Sequence, residues 1–353
     1  MAKNIVAFIL SFAVVMLSGS VLAADAVKDE AAQPVNGFVL AADEDVQLEH
    51  RGLFSPKTRL TSSAKYSDDE KTARLGLISE GLANSPFFVG TDVGGRWEKR
   101  AAYRLHGRAW DVYAGLNVAQ KSKLTMRFES KYAVGYRVPV DAPQVVQNSL
   151  GARRVSDIGL SYERLDLNDR FYPTAGSAYN LEWAWAWRGL GGDYDFNRFT
   201  WQIRGYHAFG SLLTLAGRTK IGWIEGYGKG GGVPYSELFF NGGTSTVRGY
   251  RSRYLGPRDT VYDLPLGGGL MWVNNIELRM PVYKKLAGLV FFDFGGLWEK
   301  CGDFSAGDLR ASSGLGLRYV SKWGALRLDY GWRLRHESGQ PPSRLHATFG
   351  VPF

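Results

Sequence analysis

The sequence predicts an all-β protein, a transmembrane antiparallel β-barrel of about twelve strands, with sixteen as the alternative count. Three observations carry this. From Phe87 onward, apolar and polar residues alternate with the period of two that a strand imposes on its side chains. The alternating runs are about 9 to 14 residues long, long for a sandwich strand but right for a tilted membrane strand. The face opposite the apolar one is densely charged, which suits a wet lumen with lipid on the other side.

The elements follow in chain order. Lys3, the apolar run Ile5 to Leu17 and the small residues of "SVLA" read as a signal peptide over 1–23, cleaved after Ala23 and too short to span a membrane as a helix. Residues 24–86 contain acidic clusters such as "AADEDVQLEH" and "SDDEK" and no sustained periodicity, so a largely disordered periplasmic arm is expected there. "TARLGLISE" at 72–80 is the one stretch in it that could add a strand. The barrel is expected over 87–353, with strands near 87–98, 104–118, 122–136, 153–166, 176–189, 196–209, 211–225, 266–282, 286–299, 308–321, 325–335 and 344–353. "ALRLDYGWRLR" puts Leu326, Leu328, Tyr330, Trp332 and Leu334 on one face and Arg327, Asp329, Arg333 and Arg335 on the other. "LEWAWAW" aligns Leu181, Trp183, Trp185 and Trp187. Trp97, Trp110, Trp223, Trp298, Trp323 and Tyr283 fall near strand ends, as interfacial girdles do.

Composition narrows the partners. The 353 residues carry a net charge of +9, 14% aromatics and 44 glycines. In an exported chain that charge points to outer-membrane lipid, lipopolysaccharide or anionic solutes, and not to nucleic acid. The single Cys301 cannot form an internal disulfide. No cofactor or metal is expected, because His106, His207, His336 and His346 lack metal-ligand spacing. Ser312, Ser313 and His346 lie on neighbouring strands, but nothing marks a nucleophile. "GKGGGVP" lacks the Lys-Ser/Thr ending of a phosphate loop. The chain does not read as an enzyme.

Between two strand regions stands "FFNGGTSTVRGYR" (239–251), where Gly242, Gly243 and Gly249 permit a tight re-entrant backbone around Arg248. "GGTSTVRGYRSRYLGP" resembles the conserved loop of the BamA/TamA superfamily of outer-membrane assembly and secretion barrels, the bacterial surface antigen family. "FYPTAGSAYNLE" (171–182), "FFDFGGLWE" (291–299), "LRASSGLGLRYVSKWGALRLDYGW" (309–332) and the terminal "FGVPF" match further motifs of that family in order. The resemblance implies that the Arg248–Gly249–Tyr250 tip folds into the lumen. There Arg248 meets Asp293 of the F-x-D-x-G motif, whose other members are Phe291 and Gly295, with Glu277 as a second acceptor. A guanidinium, planar and always charged, suits two carboxylates. Phe353 corresponds to the C-terminal insertion signal.

One departure matters. Residues 24–86 show no pattern of the periplasmic POTRA repeats that handle client polypeptides in the best-known members. Three functions therefore stay open: assistance in membrane-protein assembly or translocation, with unfolded outer-membrane protein clients or a periplasmic partner; a gated anion or small-solute channel; and a structural barrel, as a homo-oligomer. By strand parity Arg127, Lys131, Arg204, Arg218, Lys220, Arg310, Arg318, Arg327, Arg333 and Arg335 face inward, either as an ion-paired filling or as an anion-preferring pore.

Overall fold

A computed structural model of the chain describes residues 37–40, 46–51, 57–66, 70–81, 85–99, 103–138, 141–148, 151–169, 172–228, 232–321, 324–335 and 341–350. One antiparallel sheet holds sixteen strands in chain order. They are β1 Gly37–Leu40, β2 Val46–Arg51, β3 Thr58–Tyr66, β4 Glu70–Glu80, β5 Phe87–Lys99, β6 Arg104–Ala119, β7 Ser122–Tyr136 and β8 Gly151–Leu167. The second half comprises β9 Gly176–Ala186, β10 Phe196–Phe209, β11 Leu213–Gly226, β12 Leu270–Tyr283, β13 Leu286–Trp298, β14 Arg310–Ser321, β15 Gly324–Arg333 and β16 Ser343–Gly350. Side chains are described along fourteen of these strands, β3 to β16.

The two faces invert the usual burial rule. Outward positions are apolar and exposed, as at Trp183 (55%), Leu315 (54%) and Met126 (58%). Inward positions are charged and buried, with Glu277, Asp293 and Arg318 at 0%. That inversion is the signature of strands that stand in lipid and enclose a polar interior. From β6 onward most connections at one end are short (120–121, 210–212, 284–285 and 322–323, with 168–175 longer), and those at the other are long (137–150, 187–195, 227–269 and 299–309). Short periplasmic turns and long extracellular loops orient the sheet in the membrane.

Twelve strands is an undercount, and the expected arm over 24–86 is where the difference lies. Strands β1 to β4 all come from that segment and extend the sheet in register, Leu60 opposite Leu77 and Leu75 opposite Val93. The reason is chemical. The outward face of β3 holds Leu60 with Ser62 and Ala64, small residues that dilute the apolar alternation, and in β4 the inward Ile78 follows the outward Leu77. Strands β1 and β2 span only 4 and 6 residues, too few for a period to show. The signal peptide over 1–23 and the insertion residue Phe353 lie outside the described residues.

The region expected as a strand from 266 begins as strand at Leu270, because 266–269 still belong to the long connection 227–269. That connection turns into the sheet's interior. Its Phe239, Val247, Tyr250 and Leu255 pack with the inward Met271 and Val273. Nearer the loop-bearing end, Tyr235 and Leu264 pack with Tyr103, Leu105 and Val146.

Candidate functional site at the tip of the inward loop

The connection 227–269 is shaped by glycines at its sharpest points. Gly242, Gly243 and Gly249 have φ of +96°, +108° and +85°, a region that a side chain makes costly. Asn241 bonds back to the Gly242 amide and across to the Gly296 carbonyl. Asn275 donates to the Thr246 carbonyl at 2.7 Å, and Arg218 to the Ser245 carbonyl. The buried loop backbone thus finds its partners on the inward faces of β11 to β13.

These contacts deliver Arg248 to the site. Its Nε and Nη2 donate to Asp293 Oδ2 and Oδ1 at 2.7 and 2.8 Å, a bidentate fork, and its amide donates to Oδ2 at 3.0 Å. Nη1 donates to Glu277 Oε1 at 2.6 Å and lies 3.6 Å from Asp329 Oδ2. The guanidinium sits 3.7 Å above the Phe291 ring centroid. Asp293, Phe291 and Gly295 alternate inward along β13, which is why an F-x-D-x-G spacing presents all three to the loop. Gly295 is there for room: a Cβ would come within 2.4 Å of the Trp272 carbonyl oxygen and 3.2 Å of Val247. Tyr250, 1% exposed, lies beneath the Arg333 guanidinium at 4.5 Å.

The structure therefore brings Arg248, Gly249, Tyr250, Glu277, Phe291, Asp293 and Gly295 together. Four further members join them: Arg318 and Arg333, expected in the lumen but not at the loop tip, and Arg279 and His346, which sequence reasoning missed. Arg318 forks onto Asp329 at 2.7 and 3.1 Å and reaches Glu277 at 3.3 Å. Arg279 binds the other oxygen of Glu277 at 2.7 Å. His346 Nε2 accepts the Gly249 amide at 3.0 Å, and Arg333 donates to the Gly249 carbonyl at 3.0 Å. The loop tip is thus tied to the last two strands as well as to β12 and β13. Only Gly331 permits this approach, since a Cβ there would lie 2.8 Å from the Gly249 nitrogen. Strand parity had already put Arg318, Arg333 and Asp329 inward and could have flagged His346 as well; nothing in the sequence shows which would meet the loop.

Each carboxylate in this cluster is ion-paired with arginine, and Glu277, Asp293, Arg248 and Arg318 are all at least 99% buried. Among the arginines expected to line the lumen, Arg204, Arg218, Arg318, Arg327 and Arg333 are buried inward. Arg335 is not: it stands exposed beyond β15 and donates to the Gly307 carbonyl, because its strand ends at Arg333. A separate lumenal cavity of about 610 Å³ lies between the loop and the β7 to β11 wall, lined by Arg127, Lys131, Arg198, Lys220, Glu129 and Glu237 among others.

The Omp85 superfamily domain matches residues 50–353. The chain belongs to that superfamily. It is an outer-membrane β-barrel chain, and the match starts inside β2, ahead of the boundary at 87 that the alternation suggests. The chain is 32% identical over 224 residues, 62% of its length, to an outer membrane protein assembly factor BamA of Nitratidesulfovibrio vulgaris. Against the BamA of Neorickettsia risticii it is 29% identical over 262 residues, 71% of its length. It spans 28% and 34% of those two relatives. The crystal structure of BamA from Haemophilus ducreyi lacking POTRA domains 1–3 superposes with a TM-score of 0.68 at 18% identity, over 87% of this chain and 65% of that one, a likeness of fold. Omp85 membership and the closely packed loop tip are independent observations on the same residues.

Proposed function

We propose that this Omp85 barrel assists the assembly or translocation of other proteins at the outer membrane, and that the Arg248 cluster is the lock that holds its inner loop in place. The observation that carries the reading is the connection made by one loop tip. Arg248 and Gly249 bond to β12, β13, β15 and β16, so the same cluster that seats the loop also braces the final strand. In this reading the sheet closes with β1 against β16, the shortest strands at their respective ends, and that seam is where a client engages. Few ladder bonds along short strands make a seam easy to part. Relatives that are assembly factors support the class of activity. Clients are unfolded outer-membrane proteins, received through a periplasmic partner.

The experiment is quantitative outer-membrane proteomics on a deletion strain, complemented with wild-type or Arg248→Ala protein. The expected result is a fall in a defined set of other barrels, restored by the wild type and not by the variant. An unchanged barrel proteome, with small-anion uptake reduced instead, would replace this reading with a channel.

A further inference from the structure

The outer surface carries a feature that neither the lock nor the assembly role uses. Register aligns three successive outward rows at the loop-bearing end of β5 to β8. The first holds Gly95, Arg108, Tyr132 and Arg154, the next Trp97, His106, Val134 and Ala152, and the last Lys99, Arg104 and Tyr136. Successive rows stand about 7 Å apart along the strands. Immediately below lie the outward Val93 and Trp110, both exposed, so the cations begin where the apolar band ends. Lys99, His106, Arg108 and Arg154 are exposed and Arg104 half-buried.

These rows contain no carboxylate. Glu98 points inward and pairs with Arg96 and Tyr103. The exposed Asp193 accepts the Arg154 amide at 2.6 Å. Among the described residues, Lys99, Arg104, Arg108 and Arg154 have no side-chain ion pair. Arg108 is oriented by Tyr132, whose ring lies 5.1 Å from its guanidinium, and Tyr136 is hydrogen-bonded to His106 at 2.8 Å. Across the molecule, the outward positions at the same end of β12 to β15 are Trp272, Phe294, Ala311, Trp332 and Leu334. An interfacial girdle that served only to anchor the barrel would carry its cations all round. Here they gather on one wall.

We propose that this face of β5 to β8 binds the phosphorylated sugar headgroup of a lipopolysaccharide in the outer leaflet. Phosphate matches the planar fork of arginine, and several phosphate charges on one headgroup reward several cations held together. The aromatic rings Trp97 and Trp110 lie against the first carbons of its acyl chains. Each cation near a charged membrane surface is worth about fivefold in affinity. The site is independent of the role proposed for the loop.

The test uses the full chain in detergent micelles, with binding read by native mass spectrometry. The probes are lipid A with both phosphates, dephosphorylated lipid A and phosphatidylglycerol. The wild type is expected to prefer the phosphorylated form, and Arg108→Ala/Arg154→Ala to weaken that binding by about tenfold or more. A control, Lys123→Ala/Lys284→Ala at the short-turn end, is expected to bind as the wild type does. Unchanged binding by the arginine variant, equal loss in the control, or equal binding of phosphatidylglycerol would overturn the proposal. If the arginine variant does not fold, photoactivatable lipid A on the wild type decides: labelled peptides from β5 to β8 support the site, and labels confined elsewhere refute it.

Discussion

At the scale of single residues, Arg248 is the group whose removal leaves most unsatisfied. It is 1% exposed and donates to two carboxylates that are themselves fully buried. Breaking a buried pair from one side costs about 3–5 kcal/mol, because the abandoned charge keeps its desolvation penalty. Arg279 and Arg318 still hold Glu277 after the change, but among the described residues no other cation forks onto Asp293. Arg248→Ala is therefore expected to lower the stability of the refolded barrel by about 3 kcal/mol, read from the shift of its urea midpoint. Arg248→Lys keeps the charge and loses the fork, so it should recover about half of that loss. A lysine variant as unstable as the alanine one would mean that the planar geometry, not the charge, is what the site requires. The charge logic of Arg248, Asp293 and Glu277 was legible beforehand through the resemblance to the family's motifs, which pairs the loop arginine with the F-x-D-x-G aspartate. The His346 and Arg333 contacts were not, since they depend on how deep the tip reaches, and only Gly331 opposite Gly249 sets that.

At the scale of elements, strands with large outward residues could be read directly. β9, with Tyr179, Leu181, Trp183 and Trp185 outward, and β15, with Leu326 to Trp332, declare themselves. β3 does not, because lipid-facing positions filled by Ser62 and Ala64 look like linker sequence, and β4 stood out only as the added-strand candidate at 72–80. The long connection 227–269 was legible through its glycines, though its first turn at Tyr235–Glu237, which seats Glu237 in the lumen, was not. The placement of β4 in the membrane is open to a direct check. Leu77 is outward and 36% exposed near the middle of the strand. An arginine on the lipid face near the bilayer midplane costs about 2–4 kcal/mol. Leu77→Arg is thus expected to reduce the folded fraction sharply in a heat-modifiability gel after refolding into liposomes. In a solvated periplasmic arm the same change would be neutral, so a normal band would restore the shorter barrel.

For the whole molecule, the inner loop is fastened to different strands by opposite charges. Arg248 enters a carboxylate site on β12 and β13. Glu237 enters a cationic one, with Lys131 of β7 at 3.2 Å and Arg198 of β10 at 3.0 Å. Closed on itself as proposed, a sheet of sixteen strands would enclose a lumen wide enough for water, so what occupies it decides whether the barrel conducts. If the loop moves as one body, both anchors bias a single equilibrium between seated and released forms, and their free energies add. The Glu237 pairs are weaker because Lys131 and Arg198 are 25% and 35% exposed and solvent screens them, which leaves about 1 kcal/mol, or about fivefold in the released population. Arg248 contributes about 3 kcal/mol, or over a hundredfold. Single-channel recording in planar bilayers is expected to show a small rise in open probability for Glu237→Gln and a large one for Arg248→Ala. The double variant should reach about the product of the two until opening saturates. If Glu237→Gln adds nothing once Arg248 is gone, the loop instead hinges between its anchors, and the tip alone controls the lumen.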